Sequence, residues 1–257
     1  MLKLSVILIT YNAAAHLEKC LASVAWADEI IVLDSGSQDA TVEICRKYTK
    51  KVYFSEDWQG FGVQKNRVLA YAQGEWVLSL DADEVIPEDL QIEIQQAVQQ
   101  TEYTAFRVSR LSRFMGRWIH HSGWRPDYVT RLFRRDCAKF SDDLVHEKLE
   151  VQRGKLGRLQ SPMLHYAYDN FEQLLEKTNR YSTDNAKMLY NQGIRSSLSK
   201  AISHGIWAFL RTYLLQLGFL DGREGFLIAL ANAEGTYYRY IKLFYIYYEN
   251  RIDNHNL

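Results

Sequence analysis

Leu4 to Thr10 is an apolar run of the kind shown by a strand buried on both faces, and Leu17, Leu21 and Val24 follow it at helical spacing. The alternation then repeats. "EIIVLD" (Glu29 to Asp34) reads as a second buried strand, "SGSQD" as a turn, and "ATVEICRKY" as a helix with Val42 and Cys45 three positions apart. "KVYF" is a short third strand, "WQGFG" a loop, "VQKNRVLAYA" a third helix and "EWVLSL" a fourth strand. Pro87 opens a further helix, "PEDLQIEIQQAVQQ", with Glu88 and Asp89 in the first turn where they complement the helix dipole. Strand and helix in strict alternation predict an α/β fold, a mixed and mainly parallel sheet flanked by helices, with ligands bound beyond the carboxyl ends of the strands.

After about residue 102 the pattern changes. "YTAFRVSR", "YVTRLFRR" and "RLQSPMLHY" read as strands that extend the sheet, joined by loops rich in Arg, Trp and His. From Asn170 the period is helical: "FEQLLEKTNRYSTDNAKMLY", then Ser196 to Leu220, then Glu224 to about Tyr248. The chain thus divides into 1–102, 103–169 and a C-terminal helical extension over 170–257.

Charge narrows the choice of partner. Lys plus Arg and Asp plus Glu each total 31 in 257 residues, so no overall field points to nucleic acid and any charged partner must meet a local patch. Cys20, Cys45 and Cys137 are odd in number and far apart, which fits neither a disulfide framework nor a zinc ribbon and makes a reducing cytoplasm the default. "MLKLSVILIT" reads as a first strand rather than a leader. No apolar run reaches the ~18 to 20 residues of a spanning helix.

The chemistry gathers at the strand tips. Asp34 ends the second strand and Asp81 the fourth, so both are expected on one carboxyl edge although they are far apart in sequence. In "LSLDADE" Asp83 and Glu84 join them. Two carboxylates separated by one residue at the tip of a buried strand can approach one hard cation, and that cation can neutralise a diphosphate leaving group. Asp39 reads as a helix N-cap, and Glu84 as either a supporting group or an exposed one.

Taken together, "SVILITYNAAAHLEKCLASV", "ADEIIVLDSGSQDAT", "QKNRVLAYAQGEWVLSLDADE" and "LVHEKL" resemble the family 2 glycosyltransferases of GT-A (Rossmann-like) fold, inverting enzymes that use nucleotide sugars. Within it they look most like the bacterial lipopolysaccharide-core β-1,4-glucosyltransferase group (WaaE/LgtF type). The resemblance is dense over residues 4 to 90 and looser beyond. It implies a nucleotide-sugar-binding half over 1–102 and an acceptor-binding, catalytic part over 103–169. It also implies that Asp34 contacts the nucleoside, that Thr10, Tyr11 and Asn12 line the base, and that Lys65, Asn66 and Arg67 face the donor, with Lys65 or Arg67 on the diphosphate. Asp83 is then the main ligand of Mn²⁺ or Mg²⁺, Asp81 touches the ribose or the metal, and His165 is a third ligand. The base that deprotonates the acceptor is Glu147 of "VHE" or, alternatively, Asp143, in "SDDLVHEKL", which lacks the usual Glu-Asp pair.

The acceptor is read from charge. Arg107 to Arg135 holds eight arginines and one acid, Asp127, interleaved with Trp118, Trp124 and Tyr128. Arginine forks suit phosphate and aromatic rings suit sugar faces, so an anionic glycolipid such as inner-core heptose fits Trp124, Arg125, Arg131 and His146; a solvated basic face with ordinary core aromatics is the alternative. "IWAFLRTYLLQLGFL" and "TYYRYIKLFYIYY" mix apolar and aromatic residues with Arg211, Arg239 and Lys242, as helices lying at the cytoplasmic face of an inner membrane would. A packed helical pair or a homodimer interface is the other reading. A dinucleotide oxidoreductase is disfavoured, since "TYNAAAH" after the first strand has no glycine.

Overall fold

A computed structural model describes residues 3–141 and 148–253. The chain forms two compact units, one of residues 1–111 and 126–166, the other of residues 112–125 and 167–257.

In the first unit the alternation appears as β1 (Leu4–Thr10), α1 (Ala14–Ala22), β2 (Glu29–Asp34), α2 (Thr41–Tyr48), β3 (Val52–Phe54), α3 (Phe61–Leu69) and β4 (Trp76–Leu80). β2 is buried along its whole length and β4 likewise, which is why their sequences carry no polar alternation. β5 (Glu84–Val85) and α4 (Glu88–Ala97) follow, then β6 (Tyr103–Phe114), a two-residue β7 (Arg117–Trp118) and β8 (Tyr128–Arg134). Short strands β9 (Ala138–Phe140), β10 (Leu149–Val151) and β11 (Lys155–Arg158) precede β12 (Met163–Tyr168). The sheet order is β3-β2-β1-β4-β8-β6-β12-β5, parallel from β3 to β4 and antiparallel where β8 joins β4 and β6.

Two apolar layers hold this sheet. Leu8, Leu17, Leu21, Trp76, Leu78 and Leu90 fill one face, and Ile7, Ile31, Val68, Val77 and Phe133 the other. Chain order reverses across β1: β2 and β3 lie on one side of it, β4 on the other. Such a switch point opens a crevice at the carboxyl ends of β1 and β4.

The second unit carries α5 (Phe171–Asn191), α6 (Leu198–Leu210) and α7 (Gly222–Asp253). Asn170 caps α5 by accepting from Gln173 N, and Ser197 caps α6 by accepting from Lys200 N. The helix expected over Ser196 to Leu220 is interrupted: a π turn occupies Arg211–Leu215 and a 3₁₀ turn Gly218–Asp221, with Leu217 between them at φ 56°. Gly218 fits there because a Cβ would meet Thr212 O at 2.8 Å. Asp221, 2% exposed, then accepts from His120 N, His121 N and Ser122 Oγ, which ties the His120–Ser122 turn to the 3₁₀ turn that precedes α7. Phe114, Ile119, Leu174 and Ile228 form the core of this unit. Among the described residues no helix is long and apolar enough to cross a membrane.

All three cysteines are free and buried. Burial pushes the Cys20 thiol well up, the charges of Glu84, Asp83 and Asp81 adding to it, and burial with Asp34 nearby pushes Cys45 up to about 12. Because the thiolate is the reactive form, Cys20 and Cys45 are expected to resist a disulfide reagent such as DTNB until denaturant is added. Rapid native labelling of Cys20, read by mass spectrometry, would show that the floor beneath the Asp81–Glu84 turn is open.

Candidate active site

The loops after β1 and β2 are stitched together at the carboxyl edge. Thr10 stands opposite Asp34 in the parallel register and donates to it at 2.8 Å. Asp34 also accepts from Gly36 N, Ser37 N and Ser37 Oγ at 2.6–3.0 Å and is 1% exposed. A carboxylate with four donors holds a turn rigidly. Asn12, in the left-handed region at φ 47°, donates its N–H to Ser37 Oγ and accepts from Gln38 N; asparagine tolerates this conformation better than most residues. Asp39 was expected as the helix N-cap, but Ala40 holds that position; the Asp39 carboxylate, one residue earlier, accepts from Thr41 N, Thr41 Oγ1 and Ala14 N, and the Thr41 hydroxyl holds its pKa down against the opposing effect of burial. Tyr11 is left 62% exposed above the edge.

At the tip of β4 the acidic residues separate into two groups. Asp81 Oδ1 receives Lys65 Nζ of α3 at 2.9 Å, and Asp81 Oδ2 receives Arg131 Nη2 of β8. The same Nη2 lies 2.5 Å from Glu84 Oε1, while Glu84 Oε2 accepts Asp81 N at 3.0 Å. Arg110 stands 3.8 Å from Glu84 and pairs with Asp127 at 2.7 Å. Burial opposes the ionised form of Asp81, but the charges of Arg131 and Lys65 outweigh it and hold its carboxyl well below the usual carboxylate range. Glu84 goes the other way: burial raises it and the charge of Asp81 adds, against the pull of Arg131. Glu84 is not exposed at all. It begins β5, whose backbone pairs antiparallel with β12, Glu84 opposite His165.

Asp83 is free of that network. Its side chain is 39% exposed, its Oδ2 lies 3.6 Å from His165 Nε2, and its carbonyl accepts Tyr166 N at 2.9 Å. Tyr166 in turn stacks on His16 of α1 at 4.5 Å.

Several expected placements change. Asp81 was expected to touch the metal or the ribose, yet both its oxygens are engaged by cations, so Asp83 and His165 remain as the metal candidates. Of the two donor-side cations, Lys65 reaches the acidic edge; Arg67 instead pairs with Asp57 and bonds Ser55 and Gln64. Asn66 fixes Phe140 through both N–H and carbonyl. Arg131 does not stand on an open acceptor face. Register shifts from Phe106–Leu132 to Arg107–Thr130, which makes Arg131 the extra residue of a β-bulge and turns it, 6% exposed, to Asp81 and Glu84. Trp124 packs edge-on against Phe114 and near Tyr168 in the core of the second unit, to which Arg125 also belongs. Asp142, Asp143, His146 and Glu147 lie outside the described residues. The signal for Arg131 and Glu84 was present only as charge in apolar context, "VTRLF" and "DEVI", and was indistinguishable from a surface pattern until the bulge was seen.

A switch point that gathers an ion network and a part-exposed carboxylate–imidazole pair defines an open-sheet α/β protein with a ligand site at its strand tips. The chain belongs to the glycosyl transferase family 2, whose family model matches residues 5–154, and the protein is a glycosyltransferase. It is 31% identical over 94% of its length to an uncharacterized glycosyltransferase of Rickettsia bellii, covering 86% of that protein. It is 28% identical over 90% of its length to a lipopolysaccharide core biosynthesis glycosyltransferase, LpsC, of Rhizobium meliloti, covering 88% of it. Its fold is that of S. aureus TarS 1-349, solved in complex with UDP-GlcNAc: TM-score 0.50, 18% identity, 96% of this chain and 92% of that one.

Proposed function

We propose that the protein is an inverting hexosyltransferase that moves a sugar, glucose first among the candidates, from a UDP-sugar to a heptose of a lipopolysaccharide inner core. The observation that carries this reading is the Asp83–His165 pair at 3.6 Å at the strand tips, with Asp83 39% exposed and beside the Lys65–Asp81–Arg131 network. The kinship with LpsC supports the acceptor class.

The residues fit a divalent ion in part. A half-exposed carboxylate and an imidazole at this separation are two donors of the mixed kind that a transition ion such as Mn²⁺ takes more readily than Mg²⁺, the remaining positions falling to diphosphate and water. Among the described residues no group of three or more ligating side chains is present. When bound there, such an ion would neutralise charge developing on the leaving diphosphate. The loops around Thr10, Tyr11, Asn12 and Asp34 would hold the nucleoside, Tyr11 offering an exposed ring to the base. Lys65 and Arg131 keep Asp81 ionised and immobile, and so fix the turn that presents Asp83. Glu147, with Asp143 as the alternative, would take the proton from the attacking hydroxyl as it displaces the diphosphate from the opposite face.

The lipid-borne acceptor finds support in α6. Leu198, Ile202, Ile206 and Leu210 on α6 and Leu214 in the π turn after it recur every fourth residue and are 39–57% exposed, and Arg195 and Arg211, near the two ends of this helix in sequence, are exposed as well. An exposed apolar stripe with exposed arginines near it in sequence suits an anionic bilayer surface at the cytoplasmic face of an inner membrane.

A thermal-shift series against UDP, GDP, CMP and dTDP, each with and without Mn²⁺, tests the donor site. UDP with Mn²⁺ at about a hundred times its Kd is expected to add ~2.7 kcal/mol, a rise of roughly 5–10 °C for a chain of this size. Stabilisation by another nucleotide would replace the UDP-sugar, and no response to any would remove the donor site.

A further inference from the structure

Between α5 and α7 the second unit holds a cavity of about 220 Å³ whose walls include Tyr168, Thr178, Asn185, Asn232 and Arg239. The seam around it carries three cations, with the Asp184 carboxylate acting on one of them, Lys242, from a distance. Arg239 is half-buried, its Nε is buried with no hydrogen-bond partner among the described residues, and its guanidinium rests on the Tyr240 ring at 4.8 Å. One turn on, Lys242 Nζ is ringed by Asn179 O and Oδ1, Ser182 Oγ and Thr183 Oγ1 at 2.7–2.9 Å, with no carboxylate in contact. Across the seam, Lys177 donates to Ala167 O and lies over Tyr168. Among the described residues none of these three cations has an ion pair.

A cation that is withdrawn from water without a counter-charge is costly unless something anionic completes it. Burial lowers the pKa of Lys242, and the charge of Asp184 offsets this only in part. The space is also kept open: on α7 the residue facing Thr178 is Gly235, where a Cβ would come within 3.3 Å of the Thr178 methyl. Glycine in a helix interior costs about 1 kcal/mol relative to alanine. Hydroxyl, phenol and amide groups around a guanidinium are the complement of a phosphate ester on a hydroxylated carrier.

We propose that the α5–α7 cavity is a binding site for a phosphorylated saccharide, with Arg239 as the phosphate ligand and Thr178, Asn185 and Asn232 toward the sugar hydroxyls. The site is separate from the strand-tip site, and its occupancy requires neither nucleotide nor Mn²⁺. Two sources carry this chemistry: a free sugar phosphate, and the phosphorylated headgroup of a glycolipid.

The full chain, without nucleotide or metal, is titrated calorimetrically with glucose 1-phosphate, with glucose as the neutral control, and is sedimented with phosphatidylcholine vesicles with and without phosphorylated lipid A. Saturable binding of glucose 1-phosphate but not glucose, weakened on the order of tenfold in Arg239→Gln, the scale of one charge-assisted hydrogen bond, assigns a free ligand. Lipid A-dependent sedimentation that Arg239→Gln loses by the same factor assigns a lipid-borne one. Gly235→Val, which fills the cavity without altering charge, is expected to lose binding in the same arm. Equal behaviour of wild type and both variants in both arms overturns the site. The UDP-dependent thermal shift is measured on each variant as well; its retention shows that the chain is folded and keeps failure here distinct from failure of the donor site.

Discussion

Asp83→Ala is expected to lower the metal-dependent hydrolysis or transfer of UDP-glucose by roughly 10²- to 10³-fold, the scale of removing one group that stabilises developing charge at the leaving atom. The fold should be nearly untouched. Asp83 has 39% of its side chain in solvent and faces His165 at 3.6 Å, so its loss should cost less than about 1 kcal/mol. The assay follows UDP release with Mn²⁺ in excess and needs no acceptor, since slow hydrolysis of the donor uses the same leaving group. The UDP shift gives a second reading: Mn²⁺ should no longer enhance it. Wild-type release by the variant would remove the metal from the reading, and a melting point lower by many degrees would mean that Asp83 holds the turn rather than the ion. His165→Ala tests the other half of the pair by the same two measurements, with a smaller expected loss because the carboxylate stays.

How far this site was legible in the sequence follows from what sequence patterns encode. The parallel strands were legible because burial on both faces leaves continuous apolar runs, and β1, β2 and β4 match them closely. Their carboxyl ends follow from strand order alone, which puts Asp34 and the Asp81–Glu84 turn on one edge. What lay beyond reach was pairing. Nothing local distinguishes Asp81 from Asp83, two residues apart in one turn; the distinction comes from Lys65 and Arg131, which arrive from α3 and from a bulge in β8. Glu84 likewise looks like one more loop acid until its backbone pairs with β12. The break in the Ser196–Leu220 helix was hidden for a related reason: the Leu217 turn is fixed by Asp221 reaching residues about a hundred positions earlier.

Arg131→Met is expected to be the most destabilising single change at the site. Arg131 is buried at the bulge and supplies the cation for both Asp81 and Glu84, of which Glu84 is fully buried. Removing one partner of a buried pair leaves an uncompensated charge, at a cost of about 3–5 kcal/mol, or roughly 6–20 °C in melting temperature for a chain of this size. The pH dependence fixes the cause. Arg131 holds the native pKa of Asp81 below its unfolded value, so that contribution is present above pH ~4 and fades as pH falls through and below it. Glu84 has a raised native pKa, so its ionisation detracts from stability as pH rises above ~4.5, and Arg131 limits that loss. Both signs agree for the variant, whose deficit against wild type grows with pH: the Asp81 part develops below about pH 4 and is already present there, and the Glu84 part adds between about pH 4.5 and pH 7. Arg131→Met combined with Glu84→Gln removes the stranded charge with the cation, and should recover part of the deficit at pH 7 and little at pH 4. Melting curves of the three proteins across that range settle the matter; a deficit independent of pH, or a double variant no better than the single, would mean that packing of the bulge, and not its charge, sustains the turn that carries Asp83.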